Sequence, residues 1–496
     1  MTNPNHKTHN VVVIGAGVGG LTTATILAKH GLDVTVLEQQ VYPGGCAGTF
    51  FHKGYRFDAG ATLAAGFYPG GPMPMVAEAT GATWPTEPAS GTAIAVHLPD
   101  GSVFHRPVGD GEVEAAAQMF GKSGERFFAW QQATADRMWD LAMTLPSWPP
   151  QSVTNLIGNL IPKAAQWFLR NPSIPGVVDA FLPVSAHLPK HDDILRLLVD
   201  GQLLISAQQT SDKVNALYGA SALDLPRRGV AHLRGGMGAI SQGLAQALGN
   251  AGGTLRYRQK VSRIERLPGG SSMVHTHRGE IYHADIVIAN LTPYDLGPLL
   301  GDMRTKMPHG IANGFGAFVL HVGARDHPNW ARLPLHQQVL RKRPLGEGNS
   351  VFVSISDVKD SSRAPHGHRA ITISTHTNLA KWWHWDQTDP NRYAEEKQKL
   401  ATIMLEHSEW ALPNLRQQAQ LVMPGTPITY QRYTGRAFGW VGGYPQTSLL
   451  SSRGAKAGKN LWLVGDSIFP GQSTAAVALG AMRVANEIIK DINYKR

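Results

Sequence analysis

The chain has 496 residues, enough for two or three lobes at roughly 150 residues each. Apolar residues make up 42 % and charged residues 17 %, which excludes a disordered chain and a coiled coil. Lys and Arg total 46 against 36 Asp and Glu, a net +10 that favours anionic partners, but no stretch has the basic density of a nucleic-acid tail. Nucleic acid is therefore not expected among the partners. Cys46 is the single cysteine, so a disulfide framework and a thiolate metal cluster are excluded and a reducing, cytoplasmic compartment is expected.

Val11 to Ala28 is an uncharged run of 18 residues, close to a membrane span in length. It holds four glycines and three threonines and lacks the charged flank and cleavage site of a secretory signal. A buried strand, a glycine turn and a helix account for it better. Asn10 to Ile14 is the strand, and Leu21 to His30, closed by Gly31, is the helix. Between them Gly15, Gly17 and Gly20 have the spacing of a dinucleotide turn, with Ala16 inside it. The first glycine allows the tight bend, the second a close approach of phosphate, and the third helix-on-strand packing. A second strand, Asp33 to Leu37, ends at Glu38, 23 residues after Gly15, where a carboxylate can accept ribose hydroxyls.

A second glycine cluster follows, Pro43-Gly44-Gly45-Cys46-Ala47-Gly48-Thr49, and then Gly54-Tyr55-Arg56-Phe57-Asp58-Ala59-Gly60-Ala61. With these residues the sequence resembles the flavin-containing amine oxidase and phytoene desaturase superfamily, and more narrowly its carotenoid isomerase and 3′,4′-desaturase branch. The resemblance implies FAD as cofactor, with Gly44, Gly45, Cys46, Gly60 and Ala61 along it. Many members of that superfamily have Arg in the third position of the loop, where it meets the pyrophosphate; this chain has Cys46, leaving backbone N–H groups to compensate. Cys46 itself reads as a packing residue rather than a redox thiol.

Thr92 to Leu98 and Ser102 to His105, joined by Pro99-Asp100-Gly101, read as a hairpin. From Val153 to Phe168 the apolar residues recur at three and four, and no acid occurs from Gln151 to Val178, whereas Lys163 and Arg170 do. Such a cationic apolar-faced helix suits a membrane surface, or packing on its own protein. Arg234 to Gly238 opens a further helix to Leu248, followed by strands at Thr254 to Arg258, Val261 to Ile264 and Met273 to His277. The last buried strand of this block, Ala284 to Ala289, leads into Asn290. By resemblance this block returns the chain to the flavin domain, with Val261 and Asn290 as cofactor contacts. The cluster Trp382-Trp383-His384-Trp385 and the pair Phe67-Tyr68 could line a tunnel or fill core. No H-E-x-x-H or similar motif is present, so no metal is expected.

At the end of the chain, Leu461 to Val464 is a strand running into Gly465-Asp466, and Phe469-Pro470-Gly471-Gln472-Ser473-Thr474 opens a helix to about Ile489. The resemblance places Asp466 on the ribityl or pyrophosphate group and the helix start, Ser473 and Thr474, beside the flavin ring. The motif Arg432-Tyr433-Thr434-Gly435-Arg436 also resembles that of the carotenoid desaturase branch.

The expected fold is α/β: a Rossmann-type FAD-binding domain made of residues 1–84, 226–304 and 426–496, with an inserted α+β substrate lobe of 85–225 and 305–425. The function implied by the resemblance is an FAD-dependent carotenoid desaturase that inserts a C=C bond, at the 3′,4′ position, into an apolar polyene. Such an enzyme is expected at a membrane surface as a peripheral protein, with an electron acceptor, a quinone or oxygen, that the sequence does not identify. A carotenoid cis–trans isomerase using reduced FAD, an amine oxidase and a non-redox prenyl-lipid carrier of the same fold are the alternatives. The sequence singles out no catalytic residue.

Overall fold

The computed structural model describes residues 9–89, 91–145, 148–150, 162, 178–302, 314–443, 445–449 and 452–494. The uncharged run near the start forms a strand, Asn10–Ile14, and a helix, Val18–Lys29. The helix begins three residues earlier than its apolar pattern predicts, because Gly17 opens it from an extended conformation.

Asn10–Ile14 lies in the middle of a six-stranded sheet. In order the strands are Lys456–Gly458, Leu461–Leu463, Ile286–Ala289, Asn10–Ile14, Asp33–Leu37 and Thr254–Arg256, all parallel except the first. Val13 pairs with Ile288 on one side and Val36 on the other. An uninterrupted β-branched strand can only sit with both faces covered, and three helices supply one cover. Val18–Lys29 packs between Gly238–Asn250 and Thr474–Tyr494. The helices are close enough for Thr25 to donate to the Leu244 carbonyl at 3.4 Å and Thr23 to that of Ala481 at 3.2 Å. Six strands drawn from three distant stretches thus form a mostly parallel sheet of the kind that holds dinucleotides at its carboxyl edge. A three-stranded antiparallel sheet, Val261–Arg266, Ser272–Thr276 and Ile281–Ala284, adjoins it.

A second, seven-stranded sheet runs Ala419–Gly425, Phe315–Arg325, His368–Asn378, Ser350–Ile355, His336–Leu340, Thr92–His97 and Val103–Pro107. Its last two strands are the expected hairpin, turned at Gly101 with a φ of +87°. Nothing local predicts its parallel pairing with His336–Leu340. The helices Glu112–Met143, Asp193–Ala207 and Ala216–Leu223 pack on this end, tied by a buried polar network. Arg106 donates to Glu112, to Gln202 at 2.6 Å and to the Leu223 carbonyl at 2.6 Å, and Gln202 donates on to Gln338. Trp382 is fully buried in the core of the second sheet, so that member of the aromatic cluster fills core. The stretch 151–178, expected as a membrane-contact helix, lies outside the described residues except for 162 and 178. Among the described residues, no helix is long and apolar enough to cross a membrane.

Candidate cofactor site

The glycine turn sits at the carboxyl edge of the six-stranded sheet, and its geometry admits no side chains. Gly15 has a φ of +95°, and a Cβ on Gly20 would lie 2.3 Å from the Gly15 carbonyl oxygen. A Cβ on Gly17 would lie 2.6 Å from the amide nitrogen of Asn290. That side chain, at the end of the neighbouring strand, also borders Gly19 and Gly465. Behind the turn the Val18–Lys29 helix starts with no acidic residue and no side-chain cap, so its first N–H groups are left for an anion. Glu38 closes the other side. One carboxylate oxygen accepts from the Ala16 N–H at 2.8 Å and the other from the Gln40 N–H at 2.8 Å. Burial pushes its pKa up, and these backbone donors pull in the opposite direction. Val261 adjoins through Gln259, whose N–H donates to the Glu38 carbonyl at 2.8 Å.

The second glycine loop lies against the first. Gly17 and Gly44 form an isolated parallel bridge, and the Gly44 N–H donates to the Ala16 carbonyl at 2.9 Å. Gly44 has a φ of +127°, and a Cβ there would meet the Gly48 Cα at 2.5 Å; Gly45 is also left-handed. Ala61 donates its N–H to the Cys46 carbonyl at 3.0 Å, which brings Gly60 and Ala61 to this loop. Cys46 is half-buried, and desolvation pushes its thiol pKa up. That is the environment of an inert packing thiol rather than a nucleophilic thiolate.

The chain end completes the groove. Gly465, with a φ of +107°, abuts Gly19: a Cβ on Gly19 would lie 3.1 Å from the Gly465 nitrogen. Asp466 is paired with Arg436 through contacts of 2.9 and 3.1 Å. Ser473, strained at a φ of +91°, accepts from the Ala476 N–H at 3.1 Å and so caps the final helix. Thr474 donates to the Ala65 carbonyl at 3.5 Å. The structure thus brings Glu38, the two glycine loops, Asn290 and Gly465 into contact with one another, Asp466 following directly, while Val261 is tied in only through the neighbouring Gln259 and Ser473 and Thr474 stand at the start of the final helix.

Two groups escaped the sequence reading. The segment 427–443 runs along the groove as a strap. Gln40 donates to the Tyr433 carbonyl at 2.7 Å, a Cβ on Gly60 would lie 2.4 Å from the Tyr430 hydroxyl, and Arg436 bonds Asp466. Arg436 belongs to a motif visible in the sequence, but nothing local says that it returns to Cys46 and Asp466. The second group is three neutral amides by the final helix. Gln472 donates to the Ile205 carbonyl at 2.9 Å, Gln208 to Gln472 at 3.3 Å and Gln446 to the Pro470 carbonyl at 3.2 Å. His384, by contrast, is exposed and bonded to Thr388.

Two glycine-rich loops in contact, two helix starts without an acidic residue and a buried carboxylate fit a dinucleotide. Residues 18–489 match the family described as flavin containing amine oxidoreductase. The chain belongs to that family. It is an FAD-dependent oxidoreductase. Among relatives, prolycopene isomerase 2 of an Oncidium hybrid cultivar is 29 % identical, covering 98 % of this chain and 85 % of that relative. The zeta-carotene-forming phytoene desaturase of Myxococcus xanthus is 25 % identical over 97 % of this chain and 93 % of its own length. The solved oxidoreductase from Methanosarcina mazei shares the fold, with a TM-score of 0.61 at 18 % identity, covering 96 % of this chain and all of that one.

Proposed function

We propose that this flavoprotein acts on an apolar polyene of the carotenoid class and inserts a C=C bond, at the 3′,4′ position, by hydride transfer to FAD. One observation carries the substrate class: relatives named for carotenoid isomerisation and desaturation align with 97 to 98 % of the chain, substrate lobe included. A second reading, cis–trans isomerisation, is favoured by the prolycopene isomerases among those relatives.

Bound FAD supplies a two-electron hydride acceptor. In this proposal residues 1–84, 226–304 and 426–496 form the cofactor domain, and 85–225 with 305–425 the substrate lobe. Gly15, Ala16, Gly17, Gly20, Gly44 and Gly45 shape the two turns so that the diphosphate can come close to the backbone, Glu38 accepts the ribose hydroxyls, and Val261 meets the adenine through its backbone. Cys46, Gly60, Ala61 and Asn290 shape the middle of the groove, and Gly465 and Asp466 hold the ribityl chain. The helix start at Ser473 and Thr474 favours negative charge on the flavin ring, worth ~0.3–1 kcal/mol and more when buried. The amides of Gln208, Gln446 and Gln472 are neutral, so this end offers positioning and exclusion of water rather than a strong base. That suits loss of hydride from an allylic C–H, after which the proton next to the delocalised cation is acidic.

A polyene is practically insoluble in water, so the proposed site of action is a bilayer surface. Residues 151–178 are the proposed contact; Val178 at their end is 53 % exposed and Phe181 just beyond them 79 %. The proposed compartment is the cytoplasm, and the electron acceptor a quinone or oxygen. The test is FAD-loaded protein in liposomes given a panel of carotenoids. New absorbance at longer wavelength with a loss of two hydrogens marks desaturation, and a changed isomer pattern at constant mass marks isomerisation. Holoprotein that converts none of the panel would overturn the carotenoid reading.

A further inference from the structure

Arg436 stands on the strap, 390 residues from Cys46 in sequence, yet its guanidinium lies beside the Cys46 thiol and the Tyr430 hydroxyl. Its side chain is 13 % exposed. Nε donates to the Trp440 carbonyl at 2.8 Å, and Nη1 is engaged by Asp466. Nη2 is buried and has no oxygen or nitrogen partner, and the Cys46 thiol beside the guanidinium is only a weak acceptor. A buried charged donor left unmade is costly, so a vacant N–H pair at this place points to an acceptor that binds. The surroundings say what kind. The two glycine loops present N–H groups but no charge, position 46 on the loop itself is a neutral thiol, and the carboxylates that face Arg436 are those of Asp466 and, farther off, Asp295. A diphosphate brings two negative charges into this groove, and a planar guanidinium is suited to phosphate oxygens.

We propose that Arg436, with its free Nη2, is the cation that the diphosphate of FAD meets, standing where loop residue 46 supplies none. The proposal rests on the cofactor groove described above. Asp466 then has a double task, holding Arg436 in place and accepting from the ribityl chain, and Arg436 is a cofactor-positioning residue rather than a catalytic one.

The test reads flavin binding to apoprotein, by quenching of flavin fluorescence, without reference to turnover. Arg436→Met should weaken FAD by about ten- to a hundredfold, the range of one charge-assisted hydrogen bond. FMN should be weakened less, and riboflavin, which has no phosphate, not at all. Cys46→Arg placed in the Arg436→Met protein should recover much of the lost FAD affinity, because the two side chains share one pocket. Equal losses for FAD and riboflavin would show that Arg436 merely props up Asp466, and would overturn the proposal; so would wild-type FAD affinity in Arg436→Met. If Arg436→Met does not fold, Arg436→Lys and Arg436→Gln give the same answer through their FAD-to-riboflavin affinity ratio, which only Gln should collapse. Gly17→Val separates the two readings. If it too binds FAD fully, the groove itself is misassigned, whereas loss in Gly17→Val with no loss in Arg436→Met sinks only the role of Arg436.

Discussion

The Ala16 N–H and the Glu38 carboxylate are joined by a 2.8 Å hydrogen bond across 22 residues of chain. The glycine turn and the end of the second strand are thereby locked to one another before any nucleotide arrives. Glu38→Ala breaks the lock and removes the ribose acceptor together. FAD should bind at least about tenfold more weakly, while Glu38→Gln, which keeps one acceptor oxygen, loses less. The ratio of flavin to protein absorbance after purification checks this, and full occupancy in Glu38→Ala would refute it.

Gly20 and Gly249 make a matched pair of glycine substitutions. A Cβ at Gly20 strikes the Gly15 carbonyl at 2.3 Å, whereas one at Gly249, in the helix Gly238–Asn250, meets nothing within 4 Å. Gly20→Ala should destabilise by about 1–3 kcal/mol and lose flavin. Gly249→Ala should stabilise by about 0.5–1 kcal/mol. Urea denaturation of the two proteins gives both signs in one experiment.

Arg106 and Glu112 are 2 % and 3 % exposed and lie six residues apart. Glu112→Ala leaves a buried guanidinium with only the Gln202 and Leu223 oxygens, and should cost about 3–5 kcal/mol. A loss under 1 kcal/mol would mean that water reaches the pair.

Burial in the second sheet lowers the pKa of His376 from 6.5 to about 4. A histidine with a lowered folded pKa binds fewer protons folded than unfolded, so its stability contribution is whole above 6.5 and is lost as pH falls towards 4. His321 and His336 act in the same direction, while burial raises the pKa of Glu38, Asp224 and Asp295 and opposes them. Replacing one group isolates it. His376→Gln should flatten the fall in stability between pH 6.5 and 4 by at most about 1.4 kcal/mol per pH unit. An unchanged slope would show that His376 is hydrated.

Membrane attachment by 151–178 and its border should respond to salt and to apolar side chains. Binding to anionic liposomes should weaken as ionic strength rises, since each basic residue near the surface contributes ~1 kcal/mol that salt screens. It should weaken again in Trp167→Ser with Phe168→Ser, and in Phe181→Ser. Folded variants that float with liposomes as wild type does would move the contact elsewhere.

Local chemistry was enough to read the strand, turn and helix at the start of this protein. A β-branched run, three glycines at fixed spacing and an acid 23 residues on are short-range features of one turn, and the structure brings Gly15, Gly20 and Glu38 together there. The hairpin at Gly101 and the final helix were legible for the same reason. Tertiary structure alone decided the rest. The strap that brings Tyr430 and Arg436 to Cys46, the pairing of Thr92–His97 with His336–Leu340, and the link from Arg106 through Gln202 to Gln338 join residues about 100 to 400 positions apart. Partners so distant leave no periodicity along the chain; they are selected by burial, where each polar group must find whatever complement the packed fold brings within reach.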